Sequence, residues 1–292
     1  MFPENAPRPI PTASRTAPSA QACPDQPRGT SGGRWEAFLI NLGRATERYA
    51  FVERQLRDVG IEFTRVEAVD GNALTFPIPE VSECSYKALH GRYISPSEVG
   101  CYLSHIKAID LFLATNLDYC LILEDDAVLE KDVKAIINSA IAYHDDWDVL
   151  RLSTVNTGKH FIVREMNNRG LGVCFTREKG AAGYVLNRRA AKRFRKWLLP
   201  MRLAYDIVFD LEYFLGLKAL AVKPFPIGQR TAFTSQIQSS IRKLPAWRYI
   251  SVFPFRTVIE VSRVACRVSL YLWLLLRPFV SSGSRSRRAS RV

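Results

Sequence analysis

The chain predicts an α/β fold, a mixed and mostly parallel sheet with flanking helices, and three observations carry that expectation. Short apolar runs of strand length alternate with segments whose apolar residues recur at helical spacing. One run, Tyr119 to Leu123, is apolar on both of its alternating faces, as a strand covered on both sides must be, and it ends abruptly in Glu124-Asp125-Asp126. At 292 residues with 47% hydrophobic content the chain can bury one sizeable core with appended helices, which excludes a disordered or fibrous protein.

Residues 1–33 hold many Pro, Ser, Ala and Gly residues and no apolar run long enough for a signal-peptide core, so they are expected to be a disordered leader to a cytoplasmic protein. Ala37 to Ile40 reads as a buried strand, followed by the turn Asn41-Leu42-Gly43-Arg44. Tyr49, Val52, Leu56 and Val59 then mark a helix that stops at Gly60, and Ile61 to Val69 forms a second strand. In this βαβ unit Arg44 and Arg48 stand near a helix N-terminus, where a diphosphate can be held, unless they are ordinary surface charges. Asp70 to Tyr93 shows turn residues without a period and reads as a loop region covering a site.

Ser95, Pro96 and Glu98 form a strong helix start, with Ser95 as N-cap, Pro96 at the first helical position and Glu98 completing a capping box. Val99, Leu103, Ile106, Ile109 and Leu113 give that helix one apolar face, with Ser104 and His105 beside it; a lone helical histidine more often packs or caps than ligates. After the acidic strand end, Val133, Ile136, Ile137, Ala140 and Ile141 form an amphipathic helix and Trp147 to Leu152 another strand. Thr154 to Lys179 is a hairpin or a mobile loop. Gly180 to Leu186 resumes the sheet, Asn187 caps a basic helix stopped by Pro200, and Ala219 to Val222 closes the core. Between them Asp206 and Asp210 fall on one face of a helix, as site residues or as a solvated flank.

The net charge of +13 is concentrated at one end: from Ile241 to Val292 there are eleven Lys and Arg against one acid, Glu260, so only three net positive charges belong to the rest. That locates an anionic surface as the partner of the tail and not of the catalytic candidate. Arg256, Glu260, Arg263 and Arg267 share one helical face, while Val261, Val264, Val268 and Leu275 occupy much of the other. The apolar run Leu270 to Leu276 is far short of the roughly 20 residues needed to span a bilayer. The helix is therefore expected to lie in the membrane interface, with Arg285 to Arg291 on anionic lipid, the alternative being a core helix packed on the body. Six cysteines without a CxxC pair indicate a reducing compartment and no zinc site.

Three clustered carboxylates repel one another unless something positive lies between them, and a hard divalent cation carrying a phosphorylated ligand answers that need. Transfer of a sugar from a nucleotide diphosphate requires charge neutralisation at the leaving phosphate and, for inversion, a base on the acceptor hydroxyl. Glu124, Asp125 and Asp126 are the candidates for the metal, and Asp206 or Asp210 for the base.

Four runs resemble a known family in order and spacing: Ile40-Asn41-Leu42-Gly43-Arg44 with Arg48; Val66 to Gly71; Ser95 to Cys101 with Leu103-Ser104-His105; and Leu123 to Asp126. The stretch from about Phe38 to Ser240 is similar to glycosyltransferase family 25, the lipooligosaccharide galactosyltransferase type, departing from it at Gly43. The resemblance implies a GT-A-like fold, UDP-galactose or a related UDP-hexose as donor, a Mn2+-type cation, and inverting β-transfer to a lipopolysaccharide or lipooligosaccharide core. By that resemblance Asn41, Arg44, Arg48, Ser104, His105, Glu124 and Asp125 serve the donor, Glu124, Asp125 and Asp126 form the metal motif, and Asp206 matches a second acidic position. Together with the composition and charge readings above, the expected division is a leader (1–33), a transferase domain (34–240) and a basic membrane-associating tail (241–292) on the inner membrane face, with a nucleotide sugar and a glycolipid or oligosaccharide as partners and no specific nucleic acid. A different class of function, a non-enzymatic basic protein holding RNA or membrane, lacks a nucleic-acid motif and has arginines spaced by aliphatic rather than stacking residues.

Overall fold

Strand β1 (Trp35–Asn41), helix α1 (Thr46–Asp58) and strand β2 (Phe63–Glu67) form the expected βαβ start in the computed structural model, which describes residues 33–156, 158–166, 168–230 and 242–277. The leader expected for residues 1–33 lies, but for Gly33, outside the described residues, as do Ser240 and Arg285 to Arg291. β1 is buried on both faces because helices cover both sides of the sheet. Ala37 and Leu39 pack with Val52 and Leu56 of α1, while Phe38 and Ile40 pack with Val99, Ile106 and Ile109 of α3 (Pro96–Leu113). β3 (Tyr119–Glu124) repeats the division, with Cys120 and Ile122 on the α3 side and Leu121 and Leu123 opposite.

Downstream come β4 (Ala127–Leu129), α4 (Val133–Ile141), β5 (Val149–Arg151), the hairpin β6 (His160–Met166) and β7 (Arg169–Cys174), and β8 (Gly183–Asn187). α5 (Arg188–Trp197), α6 (Tyr205–Phe209), β9 (Ala219–Lys223), β10 (Ile227–Gln229) and α7 (Tyr249–Leu276) complete the order. The sheet runs β2-β1-β3-β8-β5-β9-β7-β6, and only β8 and β7 are reversed, so six strands point the same way. β4 and β10 pair as a separate antiparallel ribbon directly after the acidic strand end.

Two expectations need correction. The loop region Asp70 to Tyr93 contains α2 (Glu83–His90), closed by Gly91 at φ 72°. Its buried residues Tyr86 and His90 are aromatic rather than aliphatic, which hid its period. At the start of α3, Ser95 has extended backbone and Pro96 is the first helical residue, but Ser95 makes no side-chain cap bond. Glu98 turns inward instead, accepting from Tyr86 Oη at 2.6 Å, with Arg92 at 3.7 Å.

The crossing of α3 over the end of β2 is set by two glycines. A Cβ on Gly100 would sit 2.6 Å from both Gly71 N and Val69 O, so only glycine lets the helix come this close. Ser104 fastens the crossing, accepting from Val69 N at 2.8 Å and donating to Gly100 O at 2.6 Å.

α7 packs on the body through the face expected to be polar. Arg263 and Arg267 are buried, along with Val252, Ile259 and Leu274, and Tyr213 Oη donates to Ile259 O at 2.8 Å. The helix is thus held against the body while Val261, Val264 and Leu275 are left exposed.

Candidate active site

At the end of β3 the three carboxylates diverge, and each is held by a different element. Glu124 turns toward α3, where His105 Nε2 lies 3.2 Å from its Oε1. His105 is fully buried, its Nδ1 is 2.9 Å from Tyr184 Oη, and its ring stacks on Tyr205 at 3.9 Å. The histidine therefore positions Glu124, and two tyrosines position the histidine.

Asp125 is held from the β1 side. Asn41 Nδ2 donates to its Oδ2 at 2.7 Å and to Ala45 O at 3.0 Å, while Arg65 donates to Asn41 Oδ1 at 2.6 Å. Arg48 lies 2.5 Å from Asp125 Oδ1 and 3.8 Å from Asp126 Oδ2, so one guanidinium bridges both acids. Burial raises the Asp125 carboxyl, with Arg48 and Asn41 opposing it.

Asp126 stands under the ribbon of β4 and β10. Gln229 donates to its Oδ2 at 3.2 Å, and its backbone carbonyl accepts from Arg230 N at 2.9 Å. Its buried Oδ1 has no hydrogen-bond partner among the described residues. Burial, then the neighbouring Glu124, push its carboxyl up to about 6. An orphaned carboxylate oxygen among oxygen donors fits a hard cation.

Asp206 opens α6. Burial raises its carboxyl, and Lys179 and Arg92 pull it back. Its chain neighbour Tyr205 stacks on His105, whose Nε2 lies 3.2 Å from Glu124 Oε1, so α6 begins beside the residue that holds the acidic strand end.

Other sequence candidates fall elsewhere. Asp210 is 1% exposed and closed in by Arg151 at 3.3 Å, Arg263 at 3.0 Å and Arg267 at 2.8 Å, which engage both its oxygens and leave it unsuited to act as a base. Ser104 is buried and spends its hydroxyl on the α3 crossing, so it does not line the site. Arg44 pairs with Asp70 at the exposed rim.

Gln229, which donates to Asp126, is a further residue of the site, and Arg92, Glu98 and Lys179 are charges that act on Asp206. Glu98 carries a signal in the sequence, but its spacing from Ser95 fits a capping box equally well. Two groups also gather metal-ligand atoms within 4.8 Å, Cys101 with His105 and Glu124, and His160 with Cys174 and Glu178. No CxxC spacing marks either, because the second group assembles across a hairpin. In that group burial opposes a charge on His160, but hydrogen bonds to Cys174 and Glu178 outweigh it and raise the imidazole to about 9.

Residues 35–209 match the family model described as Glycosyltransferase family 25 (LPS biosynthesis protein). Procollagen galactosyltransferase 1-B of Xenopus laevis is 33% identical over 130 residues, 40% of this chain and 21% of that protein. A Haemophilus influenzae protein assigned as a glycosyltransferase is 33% identical over 139 residues, 45% of this chain and 48% of its own. The chain thus spans between about a fifth and a half of these relatives. Among solved structures, a glycosyltransferase involved in glycosylation of the major capsid of PBCV-1 aligns at TM-score 0.41 and 12% identity, over 70% of this chain and 97% of that one.

Proposed function

The chain belongs to glycosyltransferase family 25, and from that premise we propose that it moves galactose from UDP-galactose, or a related UDP-hexose, onto a sugar of a lipopolysaccharide-type core. The reaction inverts the anomeric carbon, and the acceptor is reached at the cytoplasmic face of the inner membrane. An enzyme of this class uses a nucleotide-sugar donor, and the alternative of a non-enzymatic basic binding protein is not favoured.

The observation that carries the reading is the covered strand β3 delivering three carboxylates to the sheet's C-terminal edge, where open α/β sheets bind ligands. Asp126 would hold a Mn2+ or Mg2+ ion, with Asp125 or Glu124 sharing it. Such an ion neutralises the charge that builds on the leaving diphosphate. The remaining work belongs to side chains. Arg48 stands beside the same charge, and Asn41 and His105 hold Asp125 and Glu124 in place.

Asp206 would take the proton from the acceptor hydroxyl at its carboxylate. Burial raises its affinity for protons, as a general base requires, and Lys179 opposes that rise.

A donor screen for UDP-sugar hydrolysis with Mn2+ and with EDTA tests the reading. We expect release of UDP from one UDP-hexose, at least tenfold faster with metal. Equal release in EDTA would contradict the metal assignment, and no release from any UDP-sugar would contradict the donor class.

A further inference from the structure

A surface helix normally turns its charges to water and its apolar residues to the core. α7 does the reverse over 28 residues, a rod of ~42 Å at 1.5 Å per residue. Arg263 and Arg267 are buried against Asp210, Arg267 also pairs with Glu212, and Glu260 is paired with Arg177 and Arg263. Of the helix's four charged residues, only Arg256 is exposed. The outward face is apolar from end to end: Ile250 is 80% exposed, Phe253 69%, Val261 64% and Leu276 84%. Thr257, Ala265 and Ser269 lie between them, so no ionic group interrupts the stripe.

We propose that this face is a lipid-docking surface, and that its partner is an anionic bilayer in whose interface α7 lies flat. Three observations select lipid over a protein partner. The stripe is hydrocarbon interrupted only by small hydroxyls, Thr257 and Ser269, that donate back to Phe253 O and Ala265 O, so it lacks the free polar groups that give a protein interface its specificity. Its ends carry exposed aromatics, Trp247 and Tyr249 at one and Trp273 at the other, the residue types that settle at headgroup level. The first end is also basic, with Arg242 and Lys243 exposed before the helix. After it Arg277 pairs with Asp145 and Asp146, and the sequence beyond adds Arg285, Arg287, Arg288 and Arg291 with no acid. Acyl chains under anionic headgroups complement that layout. No described helix is long and apolar enough to cross a membrane, which leaves the interface as the place for this one.

The anchor is rigid. Because Arg263 and Arg267 are tied to Asp210 on the segment that carries Asp206, docking α7 also fixes how that segment faces the bilayer. This last consequence rests on the transferase reading, whereas the docking itself does not.

Flotation of the full chain with vesicles of phosphatidylcholine alone, or with phosphatidylglycerol added, tests docking without donor or acceptor. The parent chain should float with anionic vesicles, and raising salt from 0.1 to 0.5 M should weaken binding several-fold. Val261→Glu with Leu272→Glu should lower partitioning tenfold or more while leaving the melting temperature unchanged, since both side chains are exposed. Ile250→Glu with Val258→Glu gives a second pair should the first disturb the fold. Equal flotation of parent and variants, or none of the parent, would overturn the proposal. So would a dimer in sedimentation velocity that dissociates in the variants, which would give the face to a second copy of the chain. Either result leaves the donor chemistry untouched.

Discussion

Two clusters of three acids sit in this fold and differ in what answers their charge. Glu178, Asp210 and Glu212 meet Arg151, Arg263 and Arg267, with His160 donating to Glu178 at 2.7 Å, and every member is buried or nearly so. Glu124, Asp125 and Asp126 meet one guanidinium among the described residues, Arg48, and otherwise lean on a histidine and two amides. The first set is closed and fastens α7 to the sheet. Asp210 Oδ2 in it lacks a hydrogen bond, but Arg263 Nε lies 3.0 Å away. In the second set Asp126 Oδ1 has neither a hydrogen bond nor an ion pair among the described residues, so that set is under-neutralised, the condition a cation would relieve. Acidic residues in apolar surroundings look alike in sequence. Their partners separate a structural cluster from a chemical one.

The sharpest way to break this comparison is to neutralise one acid in each cluster. Asp126→Asn should reduce transfer on the order of 10³-fold, through lost stabilisation of the leaving group. Its melting temperature should stay within a few degrees of the parent, because a repelled charge is being removed. Asp210→Asn should do the opposite, costing about 3–5 kcal/mol in urea unfolding because buried arginines lose their counter-charge. Transfer by its folded fraction should remain near normal. If the two variants lost activity and stability in parallel, the distinction would fail.

Asp206→Asn sharpens the assignment of the base. Single-turnover transfer should slow by about 10²–10⁴-fold, while donor affinity measured separately changes less than twofold. A loss confined to donor binding would move Asp206 to the metal side of the site.

Gly100→Ala probes the scaffold that brings α3 to the strand end. Its new methyl meets backbone atoms that cannot move aside, so about 1–3 kcal/mol should be lost in urea unfolding. Ser104→Ala should cost about 1 kcal/mol, without a specific effect on donor binding.

The smallest effect is one of pH. His90 is buried with neither ring nitrogen hydrogen-bonded among the described residues, and burial, helped by Arg92 and Arg256, depresses its imidazole to about 3. Its neutral form is the folded form, so stability present above the ordinary value near 6.5 is lost as pH falls toward 3. Between pH 7 and pH 5 the loss should be about 2 kcal/mol, and His90→Leu should remove that slope from a series of urea titrations.

Much of this was legible in the residues. Pro96 marked a helix start, Asn187 caps α5 by accepting from Ala190 N at 2.8 Å, and the run into Glu124 is the covered central strand it was expected to be. What stayed hidden depended on who faces whom. The i, i+4 spacing put Asp206 and Asp210 on one helical face, yet α6 is a single turn, and the second acid points into an arginine cluster supplied by α7 and β5. Spacing also sorted the two faces of α7 correctly without saying which one the body would take. That choice was made by Asp210 and Glu212, more than forty residues upstream, because a buried acid pair demands arginine more strongly than the core demands valine.

The central claim, that the end of β3 is a cation-dependent donor site, is tested most directly by calorimetric titration of UDP into the parent chain and Asp126→Asn, with Mn2+ and with EDTA. The account predicts UDP binding to the parent only with Mn2+, and binding at least tenfold weaker in the variant. Equal affinity in EDTA, or an unchanged affinity in Asp126→Asn, would contradict it.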